Sequence, residues 1–537
     1  MTEITRREFI KGAAVTTAAV AGASALAGCS PAPAPAPGIP EKWDKEADVV
    51  VVGYGGAGAA AAITAHDVGV EVIMLEKNPE GKEGGNTRVS GNLVLAPLPE
   101  HETMFAEYLM GADYWDQVPD EVFKAAAAEY VKNDEWLTGL GCALGAFPFE
   151  AEVLVPGGES VRCVINGGTF GREGVWKVVA ENVEDREIDI LYETPGKRLV
   201  QACNGEIIGI IAESGGQEIA IKAKRAVILT TGGYEFNEQM QKDYAPAYPI
   251  KYFGNPANTG DGVIMAAAVG ADLWHMNNVM GALLGGIKVP EHESPLFSTF
   301  GMIGALITGA PVYGFVFVDK FGKRFMDEMK DSRHGWGWRE LLYFNAEEMT
   351  YPMIPWYSIF DETTRLQGPL SSSFAGWAGI VEGMEWSADN SVEIEKGYIL
   401  KADSLKELGE KIMAQEANEG KMDPATLEET LARYNEYCDQ GNDPDFNRPG
   451  VSLQAINTPP FYAIETWGTS VNTQGGPRRD EQGRIIDVFG KPIPRLYSAG
   501  ELGSIWASLY QGSGNVGECF AFGRISGRNA AAEEPWE

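Results

Sequence analysis

The sequence predicts an α/β protein in which a Rossmann-like dinucleotide-binding domain is interrupted by an inserted α+β capping domain. Three observations carry this expectation. A β-branched run, Ala47-Asp48-Val49-Val50-Val51-Val52, leads through Gly53-x-Gly55-x-x-Gly58 into an Ala-rich stretch at 59–68. A second apolar run at 71–75 ends on the acidic Glu76. Strand-and-glycine character then gives way near Asn277 to aromatic, Pro- and Gly-rich segments, and returns from Thr473.

The valine run has the pattern of a strand buried on both faces. In the glycine fingerprint, Gly53 permits a tight turn, Gly55 lets the backbone approach a pyrophosphate, and Gly58 lets the helix pack on the strand. The helix start offers unpaired N–H groups to phosphate, and Glu76 stands where a carboxylate accepts hydrogen bonds from ribose hydroxyls. Helical periodicity continues around Phe105 and over 122–137. Strands are expected at 199–202, 207–212, 219–223 and 226–230, with Asn204-Gly205 as a hairpin turn. Further helices are expected at 262–269, 404–416 and 424–438. Residues 47–276 and 463–537 thus read as two parts of the nucleotide domain, and 277–462 as the cap.

Ahead of this, Thr5-Arg6-Arg7-Glu8-Phe9-Ile10-Lys11 reads as a twin-arginine export signal. The mild apolar stretch at 12–27 is shorter than the roughly 20 residues a membrane span needs. Leu26-Ala27-Gly28-Cys29 is similar to a bacterial lipoprotein box. Residues 1–29 are therefore expected to be a signal and 30–46 a Pro/Ala linker, with the chain exported and anchored to the cell membrane by lipid at Cys29 alone. Twin-arginine export carries folded proteins, which suits a cofactor loaded before crossing. The net charge of −33, from 76 acidic and 43 basic residues, repels nucleic acid and anionic lipid; it reads first as a surface that keeps an exported protein soluble, and second as a field that would steer a basic electron donor. Five further cysteines form neither C-x-x-C nor a haem-attachment pattern, and no metal site is expected.

The fingerprint alone does not separate NAD from FAD; further glycine clusters favour FAD. These are Gly84-Gly85-Asn86-Thr87-Arg88-Val89-Ser90-Gly91, Thr230-Thr231-Gly232-Gly233, Leu496-Tyr497-Ser498-Ala499-Gly500-Glu501 and Gly512-Ser513-Gly514-Asn515-Val516-Gly517-Glu518. With Asn258-Thr259-Gly260-Asp261-Gly262, Gly322-Lys323-Arg324-Phe325 and Pro459-Pro460-Phe461-Tyr462-Ala463, they occur in a family's order. Over 47–530 the sequence resembles the flavoprotein family of soluble fumarate reductases and 3-ketosteroid dehydrogenases.

The resemblance implies a GR2-type domain holding elongated FAD through Gly53, Gly55, Gly58, Glu76, Gly85, Asn86, Thr87, Ser90, Gly91, Gly232, Gly233, Asp261, Glu501, Asn515 and Val516. Glu501 would lie near the ribityl chain, and the helix start at Gly514 would face the flavin pyrimidine. Members that bind flavin covalently carry His where Asn86 stands, so the FAD is expected to be non-covalent.

The substrate positions depart from the fumarate pattern. Asn472 replaces a His before Gly475-Gly476, Gln511 replaces a carboxylate-clamping Arg, and Asn277-Asn278-Val279-Met280 follows Trp274-His275 in place of His-Pro-Thr. A dicarboxylate needs cationic clamps, so fumarate is disfavoured. Tyr510 and Gly514 match the ketosteroid dehydrogenase spacing, where a hydroxyl and a backbone N–H polarise the substrate carbonyl. The alternative to this favoured reading is that Tyr510 packs ahead of a helix cap. Arg333, displaced by about one position from the family's catalytic Arg, and its neighbour His334 are candidates for proton transfer, with Tyr313 upstream. Arg333 could instead be a surface ion-pair residue, and His275 and His292 are weaker candidates.

The resemblance implies an FAD-dependent oxidoreductase of CH–CH groups that reduces a C=C bond conjugated to a carbonyl, of enone or acrylate type. Electrons would come from a separate cytochrome or membrane quinol system in extracytoplasmic anaerobic respiration. Oxidation of a CH–CH bond in the manner of a 3-ketosteroid Δ1-dehydrogenase is the alternative within the class. A flavin-containing binding lipoprotein without turnover is the alternative outside it.

Overall fold

Burial on both faces fixes the centre of the first sheet. In the computed structural model, β1 (Lys45–Val52) buries Ala47 and every residue from Val49 to Val52. The structure describes residues 38–168, 171, 174–280, 284–301, 312–330 and 340–536. The twin-arginine segment, Cys29, Arg333 and His334 lie outside them.

From β1 the chain turns into α1 (Gly56–Asp67), returns as β2 (Val72–Leu75), and forms α2 (Glu102–Ala112) and α3 (Asp120–Tyr130). It re-enters the sheet as β3 (Asp189–Leu191), adds the hairpin β4 (Gly196–Gln201) and β5 (Ile207–Ser214), and crosses as β6 (Gln217–Leu229). The last strand of this parallel set, β7 (Pro492–Ser498), comes from the far end of the chain. The order is β7-β6-β1-β2-β3, parallel throughout, with β5 antiparallel on β6.

Two stretches read as separate strands, 219–223 and 226–230, are the single strand β6. Ala47 pairs with Ala223 and Val49 with Ala226, so Lys224 and Arg225 together oppose Asp48 in a bulge. Arg225 lies 3.5 Å from the Asp48 carboxylate, and this polar pair breaks the apolar pattern without ending the strand.

The second sheet is built on β8 (Phe461–Ser470), whose residues are almost all buried. Trp356–Asp361 and Ile399–Ala402 pair antiparallel along its first half, Leu284–Ile287 pairs along its second half, and Lys251–Tyr252 runs parallel to its end. The sheet therefore draws residues from both sides of the expected 277–462 insert. A ten-residue strand needs neighbours on both edges, and the glycine-rich sequence that marks the return begins only after it.

The helix Pro424–Gln440 covers the cap core with Leu427, Leu431 and Tyr434, capped by the Asp423 side chain and by left-handed Gly441. Beneath it, buried Arg448 pairs with Glu328 at 3.0 Å, and Arg324 pairs with Glu328 at 2.8 Å and Asp443 at 2.9 Å. This network pins the Gly322-Lys323-Arg324-Phe325 segment.

The final helix, α4 (Gly514–Ala532), lies directly on α1. A Cβ on Gly523 would fall 2.7 Å from the Ala60 Cβ, and one on Gly527 would fall 2.4 Å from the Ala61 carbonyl oxygen. Small residues thus draw the start of α4 beside the β1–α1 turn. Among the described residues no helix is long and apolar enough to cross a membrane.

Candidate active site

The β1–α1 turn forms one wall of a cleft. Gly53 takes φ +109°, and a Cβ there would sit 2.5 Å from the Thr230 carbonyl oxygen. At Gly58 a Cβ would meet the Gly53 carbonyl oxygen at 2.0 Å. Gly55 differs: its nearest neighbour would be the Gly84 carbonyl oxygen at 3.6 Å, an ordinary contact, and the residue lines the cleft. Gly55, the N-cap of α1, has no side chain to close the helix start; the Gly56 N–H donates to the Thr87 hydroxyl at 3.2 Å, and Gly55, Gly56 and Ala57 line the cleft.

Glu76, at the end of β2, accepts the Tyr54 N–H at 2.9 Å and the Asn78 N–H at 2.7 Å. Burial pushes its carboxyl above the ordinary range. Lys77 donates to the Thr259 hydroxyl at 2.6 Å and pairs with Asp261 at 2.8 Å, drawing the 257–261 turn across the strand end. The Thr231 hydroxyl is buried on the cleft wall with no hydrogen-bond partner.

This cleft, about 760 Å³, is lined by Gly53, Gly55, Glu76, Gly85, Asn86, Thr87, Gly232, Asp261 and Glu501 among others. A second cavity of about 1070 Å³ shares Asn86, Thr87, Glu501 and Cys519 with it, and takes in Ser90, Tyr510, Asn515 and Val516. Gly58, Gly91, Gly233 and Gly514 line neither cavity.

The second cavity is walled by Phe149, Phe253, Met280, Phe297, Phe374 and Val471. Phe253 and Phe297 stack with centroids 3.6 Å apart, and Phe374 tilts against Phe297 at 4.9 Å. Among the described residues that line it there is no Arg, Lys or His. The aromatic wall had no assignment from sequence. Aromatic enrichment after Asn277 was its one signal, and Phe149 and Phe253 precede that region.

Tyr510 lines this cavity, and its oxygen accepts the Asn515 N–H at 3.2 Å. The expected partner donor is committed elsewhere. The Gly514 N–H donates to the Gln511 carbonyl at 2.9 Å, because Ser513 at φ +71° closes a tight turn at the start of α4. Tyr313 is not brought to the site: its carbonyl accepts from Thr364 Oγ1 at 3.0 Å and Gln367 Nε2 at 3.2 Å, and it lines neither cavity. His275 is buried with Nδ1 2.8 Å from the Ser504 carbonyl oxygen, and burial lowers its pKa to about 4. His292 pairs with Glu382 at 2.5 Å.

Gln511 has a structural task. Its Oε1 accepts the Tyr108 hydroxyl at 2.6 Å and the Glu152 N–H at 2.8 Å, while the Gly512 N–H donates to the Glu152 carboxylate at 2.8 Å. These bonds fasten the segment that carries Phe149 into the cavity. Gln511→Ala leaves the buried Tyr108 hydroxyl and the half-buried Glu152 N–H without their acceptor, a loss of about 1–3 kcal/mol. The expected result is a KM raised about tenfold with FAD content unchanged, read by steady-state kinetics and flavin absorbance.

A model described as FAD binding domain matches residues 48–516. The chain belongs to this FAD binding domain family. It is 28% identical to digoxin reductase of Eggerthella lenta over 99% of this chain and 98% of that protein. It is also 28% identical to NADH:acrylate oxidoreductase of Vibrio harveyi over 91% of this chain, but spans only 50% of that protein's length. The fold matches 3-ketosteroid delta1-dehydrogenase from Sterolibacterium denitrificans with a TM-score of 0.72 at 20% identity, covering 91% of this chain and 100% of that one.

The cofactor is FAD, and the cleft fits it. The close backbone approach at Gly55 and the α1 start that lines the cleft suit a pyrophosphate, Glu76 suits a ribose, and the unpartnered Thr231 hydroxyl offers a further polar contact.

Proposed function

We propose that this flavoprotein reduces an uncharged alkene conjugated to a carbonyl, bound against Phe253 and Phe297. The observation that carries this reading is the apolar cavity that opens off the FAD cleft at Asn86, Thr87, Glu501 and Cys519. Bound FAD supplies a hydride from its reduced ring.

The chain's own residues bind and polarise the acceptor. Flat aromatic walls suit a planar conjugated system. A carboxylate entering this cavity would lose its hydration without gaining a cationic partner among the described lining residues, at a cost of several kcal/mol. Burial pushes the Tyr510 phenol well above its ordinary range, so it stays protonated at neutral pH and can donate to a carbonyl oxygen. The Asn515 N–H orients that hydroxyl. Arg333 and His334, the candidates for the α-carbon proton from sequence, lie outside the described residues, and no described residue of the cavity is given that role.

Asn86 offers no nucleophile, and its amide is engaged with Glu501 and Asn255, which supports non-covalent FAD. The relatives named NADH:acrylate oxidoreductase and digoxin reductase support the reductive direction. The twin-arginine sequence and Cys29 support export and a lipid anchor, with electrons delivered by a separate cytochrome or quinol system. The net charge of −33 favours a basic donor.

Anaerobic reduction of the bound flavin, followed by addition of a conjugated ketone, tests the reading. Rapid reoxidation with saturation of the C=C bond is expected. If no conjugated alkene reoxidises the flavin and a 3-ketosteroid instead bleaches the oxidised enzyme, the oxidative alternative takes its place.

A further inference from the structure

Two carboxylates beside the cleft have no part in the reaction described above. Glu235 is 0% exposed and Glu501 is 8% exposed. The Asn86 Nδ2 donates to Oε1 of both, at 2.8 Å to Glu501 and 3.4 Å to Glu235. Its Oδ1 accepts the Asn255 N–H at 2.8 Å, which fixes the amide with its nitrogen toward the acids. Asn258 Nδ2 adds a bond to Glu501 Oε1 at 3.2 Å, and the Thr473 N–H donates to Glu235 Oε1 at 3.1 Å. Among the described residues no Lys or Arg forms an ion pair with either acid. Glu235 Oε2 is buried with no partner.

Two ionised carboxylates sharing amide donors in a dry site repel each other, and an unpartnered anionic oxygen adds a desolvation cost of several kcal/mol. A proton on Glu235 Oε2 removes both. We propose that Glu235 and Glu501 form an acid pair in which Glu235 keeps its proton and Glu501 alone titrates. The pair then adds at most one negative charge where the two cavities meet.

Burial, reinforced by the Glu501 charge, holds the Glu235 carboxyl well above its ordinary range, and burial raises Glu501 to about 7. The other titratable groups facing the pair are Tyr234 and Tyr252 on the Glu235 side and Glu518 and Cys519 on α4. Burial pushes both phenols and the thiol up, which keeps them neutral; burial also raises the Glu518 carboxyl, opposed by the Arg479 guanidinium 3.2 Å away. Glu501 has no Lys or Arg partner among the described residues, and it is the acid raised to about 7.

A new negative charge beside the cofactor opposes adding electrons to it. The flavin midpoint potential should therefore fall more steeply with pH through the Glu501 titration than the flavin's own proton uptake dictates. This inference rests on FAD occupying the cleft and not on the identity of the alkene.

Spectroelectrochemical titration of holoenzyme from about pH 6 to about pH 9 tests it. Wild type should show an extra drop near pH 7 equivalent to about a tenfold change in the ratio of reduced- to oxidised-flavin affinity, about 30 mV for a two-electron couple. Glu501→Gln should lose that drop. Glu235→Gln, which mimics the protonated acid, should keep it. A drop that survives Glu501→Gln, or a Glu235→Gln curve raised as Glu501→Gln is, would overturn the proposal. If Glu501→Gln fails to hold FAD, infrared spectra of the apoprotein at about pH 8 decide. A buried carboxylic acid C=O band should be present in wild type and missing in Glu235→Gln; its absence from wild type would equally overturn the proposal.

Discussion

Gly55→Leu is expected to fold and to lose FAD, whereas Gly58→Leu is expected not to fold. The contrast follows from where each Cβ would go. At Gly55 the nearest atom is 3.6 Å away, φ is an ordinary −101°, and the added side chain occupies the space that suits the pyrophosphate. At Gly58 the Cβ would lie 2.0 Å from the Gly53 carbonyl oxygen. That turn cannot yield, because β1 is held on one side by β2 and on the other by β6. Gly55→Leu should purify colourless with unchanged far-ultraviolet circular dichroism and an FAD affinity lowered at least about 100-fold, near 2.7 kcal/mol. Gly58→Leu should be recovered as aggregate. A yellow, soluble Gly58→Leu protein would refute the packing of this turn, and a fully loaded Gly55→Leu protein would refute the placement of the pyrophosphate.

Tyr510→Phe is expected to slow flavin reoxidation by the alkene about 10²- to 10³-fold, the loss typical of one donor aimed at developing negative charge. The ring packs edge-on against Trp506 at 5.5 Å, a contact that Phe preserves, so FAD content should change little, while the Asn515 N–H left without its acceptor should lower stability by about 1–3 kcal/mol. With the Gly514 N–H already bonded to Gln511, no second donor at that position compensates. Stopped-flow reoxidation at saturating alkene reads the effect, and an unchanged rate would remove Tyr510 from the chemistry.

Much of the cofactor half was legible because its constraints are local. Strand, tight turn, helix and terminal acid lie within one short stretch, and each demands a particular residue type. Features that depend on distant partners were not. Gln511 read as a missing clamp, yet its partners Tyr108 and Glu152 lie 403 and 359 positions away. The Gly514 N–H fitted a spacing, but the left-handed Ser513 that redirects it leaves no mark in composition. Tyr313 was placed by its position in the cap, yet its backbone is held by Thr364 and Gln367 and it lines neither cavity. The Glu235–Glu501 pair joins two glycine motifs that are far apart in sequence, and neither motif alone shows that the acids meet.

The most direct test of an uncharged, carbonyl-conjugated substrate uses matched aromatic alkenes, one ending in a methyl ketone and the other in a carboxylate. Each is mixed with anaerobically reduced holoenzyme, and flavin absorbance is followed by stopped flow. The ketone should reoxidise the flavin at least about 100-fold faster, because no described residue lining the Phe253–Phe297 cavity is a cation with which a buried carboxylate could pair. Equal rates, or faster reoxidation by the carboxylate, would contradict it.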